Sequence, residues 1–230
     1  MAQWRRQWYE GTGGGTDPLM PFGVTQVGPV SFNNNATLPT YNRTFAIRTG
    51  QTGGFGYLPN ARWPHTFLAA AFDLPNPPGT ACYYGCVHLF AKRVIGRRLA
   101  SAALTHAYPR RADVAAAADA PHATTASCDG PLLVINFSVG SPGVVDVASD
   151  GLLQPNCTTG LMLQTGGDGW THNVSIAAFT PFAVTLRVAG GRGVVLAVRY
   201  AFEDLPCPYM GCAFYSKEGM PVLPFELSCS

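Results

Sequence analysis

The feature that most constrains the fold is a short apolar run followed, after a loop, by a helical repeat. The run, Phe67 to Phe72, has the length of a buried strand and ends at an acidic residue, Asp73. After a loop rich in Pro and Gly, a single histidine, His88, precedes a segment with apolar residues at helical spacing. Strand, loop and helix in this order are typical of an α/β fold, in which functional residues collect beyond the carboxyl ends of the strands. This position makes His88 a candidate catalytic base.

Three segments are predicted to be helical, and the first, residues 1–10, is interpreted as the end of an amphipathic helix with Trp4 and Trp8 four apart. In the segment after the histidine, Ala91, Ile95 and Leu99 lie on one helix face. Gly96 lies within that helix, where it costs about 1 kcal/mol relative to Ala, and close approach of the helix to a sheet would account for it. An earlier helix or helical turn is predicted for residues 45–51.

Composition excludes several classes of protein. The 230 residues are 47% hydrophobic and only 12% charged, which is enough apolar material for a packed core. The net charge is +2 and no stripe of Lys and Arg with interleaved aromatics occurs, so we expect no nucleic-acid partner. No apolar run reaches the roughly 18 residues that a membrane span needs, and we expect none.

The second half of the chain is predicted to be β-rich. Residues 128–230 contain several strand-like runs and are interpreted as a β-rich sandwich-like module, with residues 111–127 as a linker or surface excursion. Residues 182–188 and 194–201 are predicted to pair as a hairpin, because the Gly-rich connection between them supplies positive φ angles.

Cysteines and glycosylation sequons indicate an oxidising route. Seven cysteines and five Asn-X-Ser/Thr sequons occur, the latter at Asn35, Asn42, Asn136, Asn156 and Asn173. The N-terminus lacks an apolar signal-peptide core, so we expect the chain to be the tail of a longer secreted protein.

The spacing of the cysteines favours disulfides over metal binding. Cys207 and Cys212 bracket a tight loop that a disulfide could close. Cys82 and Cys86 are four apart, but no second ligand pair follows at zinc spacing, so a local disulfide or partners elsewhere are favoured. We expect no metal and no cofactor.

The ordered motifs resemble the sialate O-acetylesterase family. The motifs are Pro21 to Val27, Phe45 to Asn60, Pro64 to Leu74, Val87-His88 and Val198 to Tyr215. The resemblance covers most of residues 1–110 and 178–225. It implies a partial SGNH/flavodoxin-like three-layer α/β domain in residues 1–110, followed by the β-rich module.

The resemblance also implies an activity and its residues. The implied reaction is removal of O-acetyl groups from sialic acids by acyl transfer to serine and hydrolysis, in a lysosomal or secreted enzyme. His88 matches the catalytic histidine, and Arg48 and Gln51 match an Arg-x-x-Gln motif assigned to substrate binding or site architecture. Asp73 matches the acid that closes the strand; it either orients His88 or serves structure.

The chain departs from the family pattern at the nucleophile. No serine lies in a Gly-x-Ser-x-Gly or Gly-Asp-Ser turn, and the nearest imitation, Ser141, fits an ordinary turn. The family's serine precedes the region represented here, so we expect a missing N-terminal segment of the same protein to supply it. Leu89 replaces the usual proline after the histidine, and Cys86 takes the place of an acid.

Two alternatives stay open from the sequence. The chain could be a non-catalytic glycan-binding or structural remnant, or an SGNH-type deacetylase acting on another acetylated polysaccharide. The first alternative requires no nucleophile, whereas the second requires the same machinery with a different sugar.

Overall fold

The computed structural model describes residues 1–30, 43–77, 87–108, 120–138, 151–166, 169–190 and 193–230. The described elements are α1 (Ala2–Gly11), β1 (Phe22–Thr25), α2 (Arg43–Gly50), β2 (Thr66–Ala69), α3 (Lys92–His106), β3 (His122–Asp129), β4 (Leu132–Ser138), β5 (Leu161–Thr165), β6 (Gly169–Thr171), β7 (Val174–Thr180), β8 (Ala183–Val188), β9 (Val195–Tyr200) and β10 (Phe225–Ser228). All three predicted helices, α1, α2 and α3, are formed. None of the helices in these ranges is long and apolar enough to cross a lipid bilayer.

Strands β1 and β2 form a parallel pair, with Phe22 opposite Thr66 and Thr25 opposite Ala69. The observed strand covers only the first half of the predicted run 67–72, but all four residues of β2 and the following residues 70–72 are buried. Helix α3 packs on both strands. This arrangement is α/β in character, but two paired strands do not confirm the predicted three-layer SGNH/flavodoxin-like domain.

Gly96 does not mark a close approach of α3 to the sheet. A Cβ built on Gly96 meets nothing within 4 Å, and the residue is exposed. The packing explanation for this glycine is therefore wrong.

The eight later strands form two antiparallel four-stranded sheets. One has the order β3-β4-β8-β7 and the other the order β10-β9-β5-β6. Buried side chains of both sheets, among them Leu133 and Leu161, share one apolar core. The structure thus has the predicted β-rich character. Because β3 begins at His122, the first sheet starts within the range 111–127 that was predicted to be a linker.

The predicted hairpin is wrong. Both strands exist, but β8 pairs with β4 and β7, whereas β9 pairs with β5 and β10. The Gly-rich connection therefore carries the chain from one sheet to the other. Alternation of apolar residues predicts that a strand buries one face, and it does not specify the neighbouring strand.

The apolar core continues from the sandwich into the parallel pair. Leu68 and Phe72 belong to the same buried cluster as the sandwich side chains. The ring of Phe72 meets Tyr200 of β9 edge to face with 6.4 Å between ring centroids, within the range of about 4.5–7 Å that aromatic pairs prefer. The two predicted domains consequently share one interior.

Two disulfides lie in the described residues. The predicted Cys207–Cys212 bond closes its loop, and Cys128–Cys229 links β3 to the residue after β10. Cys157 is the free cysteine of the described ranges, and Cys82 and Cys86 lie outside them.

Candidate functional site

His88 is exposed, and its backbone is held by Asn76. Asn76 Nδ2 donates a hydrogen bond to His88 O at 3.1 Å, and Phe90 N donates to Asn76 Oδ1 at 2.8 Å. One side chain thus fixes the peptide groups on both sides of Leu89, the residue that directly follows the histidine. The imidazole lies on the surface while its backbone has a defined position.

Leu89 anchors the same segment from below. Its side chain is 3% exposed and packs with Ala71 and Leu74. It also lies directly on Gly28, where an added Cβ would come within 2.5 Å of Leu89 Cδ1. The segment that carries His88 therefore rests on the backbone just beyond the carboxyl end of β1. Two parallel strands bring their carboxyl ends to one edge, which is the usual location of chemistry in α/β proteins.

Gln51 braces that strand end from the side of α2. Its Oε1 accepts a hydrogen bond from Val27 N at 2.8 Å, and its Nε2 donates to Thr25 O at 3.0 Å. One amide therefore replaces a neighbouring strand for two residues of backbone.

Arg48 connects the strand end to the sandwich. Its guanidinium is 1% exposed and donates to five backbone carbonyls, those of Val27, Gly28, Ala201, Glu203 and Asp204. Burial lowers the pKa of Arg48 to about 10, and the Asp204 carboxylate opposes the shift. The side chain therefore remains charged at neutral pH. With its donors directed at backbone, the buried guanidinium of Arg48 holds the strand end against residues 201–204.

Asp73 is fully buried and paired with Arg98 of α3. The two carboxylate oxygens accept from Arg98 Nη1 at 2.6 Å and Nη2 at 2.8 Å, and Tyr215 Oη donates to Oδ2 at 3.0 Å. Burial, together with the adjacent carboxylate, raises the pKa of Tyr215, so the phenol stays a donor. No hydrogen bond or ion pair between described residues joins Asp73 to His88. These contacts favour the structural role over the orienting role.

The structure thus brings Arg48 and Gln51 to one strand end, places His88 beside it through Leu89, and assigns Asp73 to a separate ion pair. Sequence reasoning missed Asn76 and Gly28. Asn76 precedes two prolines and resembles an ordinary turn residue. Gly28 carries the stronger sequence signal of the two, because a glycine close to a strand often marks a position where other atoms approach the backbone closely.

Sequence reasoning also missed Gln26, which lies at the same strand end as Gly28. It is 2% exposed, and within the described part of the chain its Oε1 accepts no hydrogen bond. A buried acceptor without a partner costs about 1–3 kcal/mol. The carboxyl end of β1 therefore retains an acceptor that a further group could use.

The residues that the structure describes add no group of metal-ligating side chains to the site. In the described ranges, no three His, Cys, Asp or Glu side chains are grouped so that they could hold a metal ion. Ser141 and Cys86 lie outside those ranges.

Comparisons with known proteins agree on one group. The profile of the sialate O-acetylesterase C-terminal domain matches residues 132–229. Sialate O-acetylesterase from Mus musculus is 27% identical over 98% of this chain and 39% of its own length. The Homo sapiens protein of the same name is 26% identical over 98% of this chain and 40% of its own length. A carbohydrate acetylesterase from Xanthomonas citri shares the fold, with a TM-score of 0.68 and 21% identity over 98% of this chain and 44% of that chain.

The relatives in sequence carry the name of an esterase, and the structural neighbour shares the fold. Residues 132–229 match the C-terminal domain of the sialate O-acetylesterase family, and sialate O-acetylesterases match 98% of this chain, so the comparisons support the resemblance to the family's C-terminal portion. It spans about two fifths of the length of the curated relatives that it matches, since the aligned shares are 39% and 40%.

Proposed function

We propose that this chain is the histidine-bearing part of an esterase that removes O-acetyl groups from sialic acids. The observation that carries the proposal is the exposed His88 on a backbone that Asn76 and Leu89 hold at the strand edge. The family relatives are named for this substrate. The alternative substrate is another acetylated carbohydrate, and substrate profiling distinguishes it from O-acetylated sialic acid.

In the proposed reaction, one imidazole nitrogen of His88 accepts the proton of a serine hydroxyl as its oxygen attacks the acetyl carbonyl. The ester bond to the sugar then breaks, and the imidazolium returns the proton to the sugar oxygen. A water molecule hydrolyses the acetyl-serine by the same proton transfers. The serine comes from a segment that these 230 residues do not include.

The supporting argument is mechanical. A general base must lie within hydrogen-bond reach of its proton, so a small displacement is costly. Arg48 and Gln51 fix residues 25–28, and the side chain of Leu89 packs on Gly28. Helix α3 begins three residues after Leu89. This series of contacts holds the backbone of the base in place at the strand end.

Two proteins test the proposal: the 230-residue chain and a longer one in which the preceding segment is present. We expect saturable acetate release from O-acetylated N-acetylneuraminic acid by the longer protein only. His88→Ala abolishes it, whereas His172→Ala, at another exposed histidine, leaves it unchanged. Release by the short chain that depends on His88 would refute an external nucleophile. Unchanged release by the long His88→Ala protein would refute the role of His88.

We also propose a lysosomal or secreted location. The three sequon asparagines in the described residues, Asn136, Asn156 and Asn173, are all exposed, as an attached glycan requires. The two disulfides fit an oxidising compartment. A shift in electrophoretic mobility upon deglycosylation of the protein secreted from eukaryotic cells tests this location, and an unglycosylated cytosolic product refutes it.

A further inference from the structure

A concave groove lies between the end of α2 and the sandwich, apart from the residues that hold His88. It encloses about 190 Å³. Three segments line it: residues 45–57 in part, His122 and Ala123 of β3, and residues 223–227 around the start of β10. Arg48 lies on α2 between two of its lining residues, Phe45 and Thr49, yet its own side chain goes to the strand end. The groove is therefore a site of its own.

Aromatic rings dominate the groove. Tyr57 stacks on His122 with 4.0 Å between ring centroids and 13° between planes. Phe55 meets Tyr57 edge to face at 6.2 Å and is 46% exposed. The stacked rings of Tyr57 and His122 therefore line the groove together with the exposed ring of Phe55.

The loop that presents Phe55 is internally braced. Thr52 Oγ1 accepts from Gly56 N at 2.8 Å and donates to Thr49 O at 2.7 Å. Asn60 Nδ2 donates to Thr52 O and to Tyr57 O, both at 2.8 Å. Gly54 and Gly56, on either side of Phe55, have positive φ angles that favour glycine. The braced turn therefore keeps the apolar ring of Phe55 exposed to solvent. An exposed ring in a preorganised position is typical of a residue that contacts a ligand.

We propose that this groove binds a neutral pyranose ring of a glycan chain. The apolar C–H face of a pyranose matches an exposed aromatic ring, and its hydroxyls match the polar side chains among the lining residues, namely Thr49, Tyr57, His122 and Glu226. The charged member of this set, Glu226, is paired with Arg199 at 3.0 Å, so the ion pair presents no net charge to the groove and gives no preference for an anionic sugar. The site would engage a carbohydrate unit without taking part in hydrolysis, so it does not depend on the proposed esterase reaction.

The test is a titration of the 230-residue chain with methyl β-D-galactopyranoside, followed by NMR of the backbone amides. We expect saturable shifts at Gly54, Gly56 and Ala123, and no tighter binding of N-acetylneuraminic acid. Phe55→Ala and Phe55→Leu weaken binding at least tenfold, whereas Phe55→Tyr, which keeps the ring, retains it. Phe182→Ala, at an equally exposed phenylalanine outside the groove, is the matched control and leaves binding unchanged.

Three results overturn the proposal. They are the absence of saturable shifts at the groove, equal losses from Phe55→Leu and Phe182→Ala, and tighter binding of N-acetylneuraminic acid than of the galactoside. Because the measurement is binding by a chain without the proposed nucleophile, failure here leaves the esterase proposal untouched. Failure of acetate release likewise leaves the groove untouched.

Discussion

Substituting alanine for glycine should have opposite effects at two positions of this chain. At Gly28, the new methyl group would come within 2.5–2.9 Å of three atoms of the Leu89 side chain. Gly28 does not have a positive φ angle, so its backbone tolerates alanine and the contact alone causes the cost. Leu89 is buried and cannot rotate into water. Overpacking of this kind costs about 1–3 kcal/mol in the free energy of unfolding.

Gly96 is the matched control. A Cβ there meets nothing, and the residue lies inside α3. Gly96→Ala should therefore raise the free energy of unfolding by about 0.5–1 kcal/mol. For a chain of this size, each kcal/mol in the free energy of unfolding shifts the midpoint of thermal unfolding by about 2–4 °C. Gly28→Ala should thus lower the midpoint by about 2–12 °C, and Gly96→Ala should raise it by about 1–4 °C.

Thermal unfolding measured by circular dichroism, together with NMR of the His88 imidazole, checks both the sign and the cause. Only Gly28→Ala should shift the His88 resonances, because Leu89 is adjacent to His88. Combining Gly28→Ala with Leu89→Ala should cost less than the sum of the two single changes, by about 1 kcal/mol or more, since the clash is gone. Equal stability of both glycine variants, or strict additivity in the double variant, refutes the reasoning.

Two further predictions concern cross-links in the fold. Arg98→Ala leaves a buried carboxylate without its charged partner and should cost about 3–5 kcal/mol, measured by urea denaturation; a loss below about 1 kcal/mol contradicts the buried ion pair. Replacing Cys128 and Cys229 by alanine opens a loop with a sequence separation of 101 and should cost about 4.7 kcal/mol, against about 2 kcal/mol for Cys207 and Cys212 with a separation of 5. The reverse order of the two losses contradicts loop closure as the source of stability.

Sequence reasoning predicted the individual elements well because they are local. The apolar run became β2, the helical spacing became α3, and residues 43–50 formed α2. It failed for β8 and β9, because a Gly-rich connection can turn within one sheet or cross to the opposite sheet. That choice depends on which strands are available elsewhere, and no local pattern encodes it.

The candidate site shows the same limit. Resemblance located His88, Arg48 and Gln51, but sequence alone left the burial of Arg48 unspecified, because arginine usually lies on the surface. The five backbone carbonyls that receive its hydrogen bonds come from two distant segments, so only the assembled fold brings them together. Asp73 was ambiguous for a related reason: its partners, Arg98 and Tyr215, are separated from it by 25 and 142 residues.

The interior that Phe72 shares with Tyr200 has a consequence for how such proteins diversify. A unit that can be exchanged by recombination must keep its own apolar centre, and here the strand pair and the sandwich have a single one. Neither half can be cut out and grafted elsewhere without exposing part of that centre to water. We therefore expect the two halves to be inherited together, melt in one transition and accumulate compensating substitutions across their boundary.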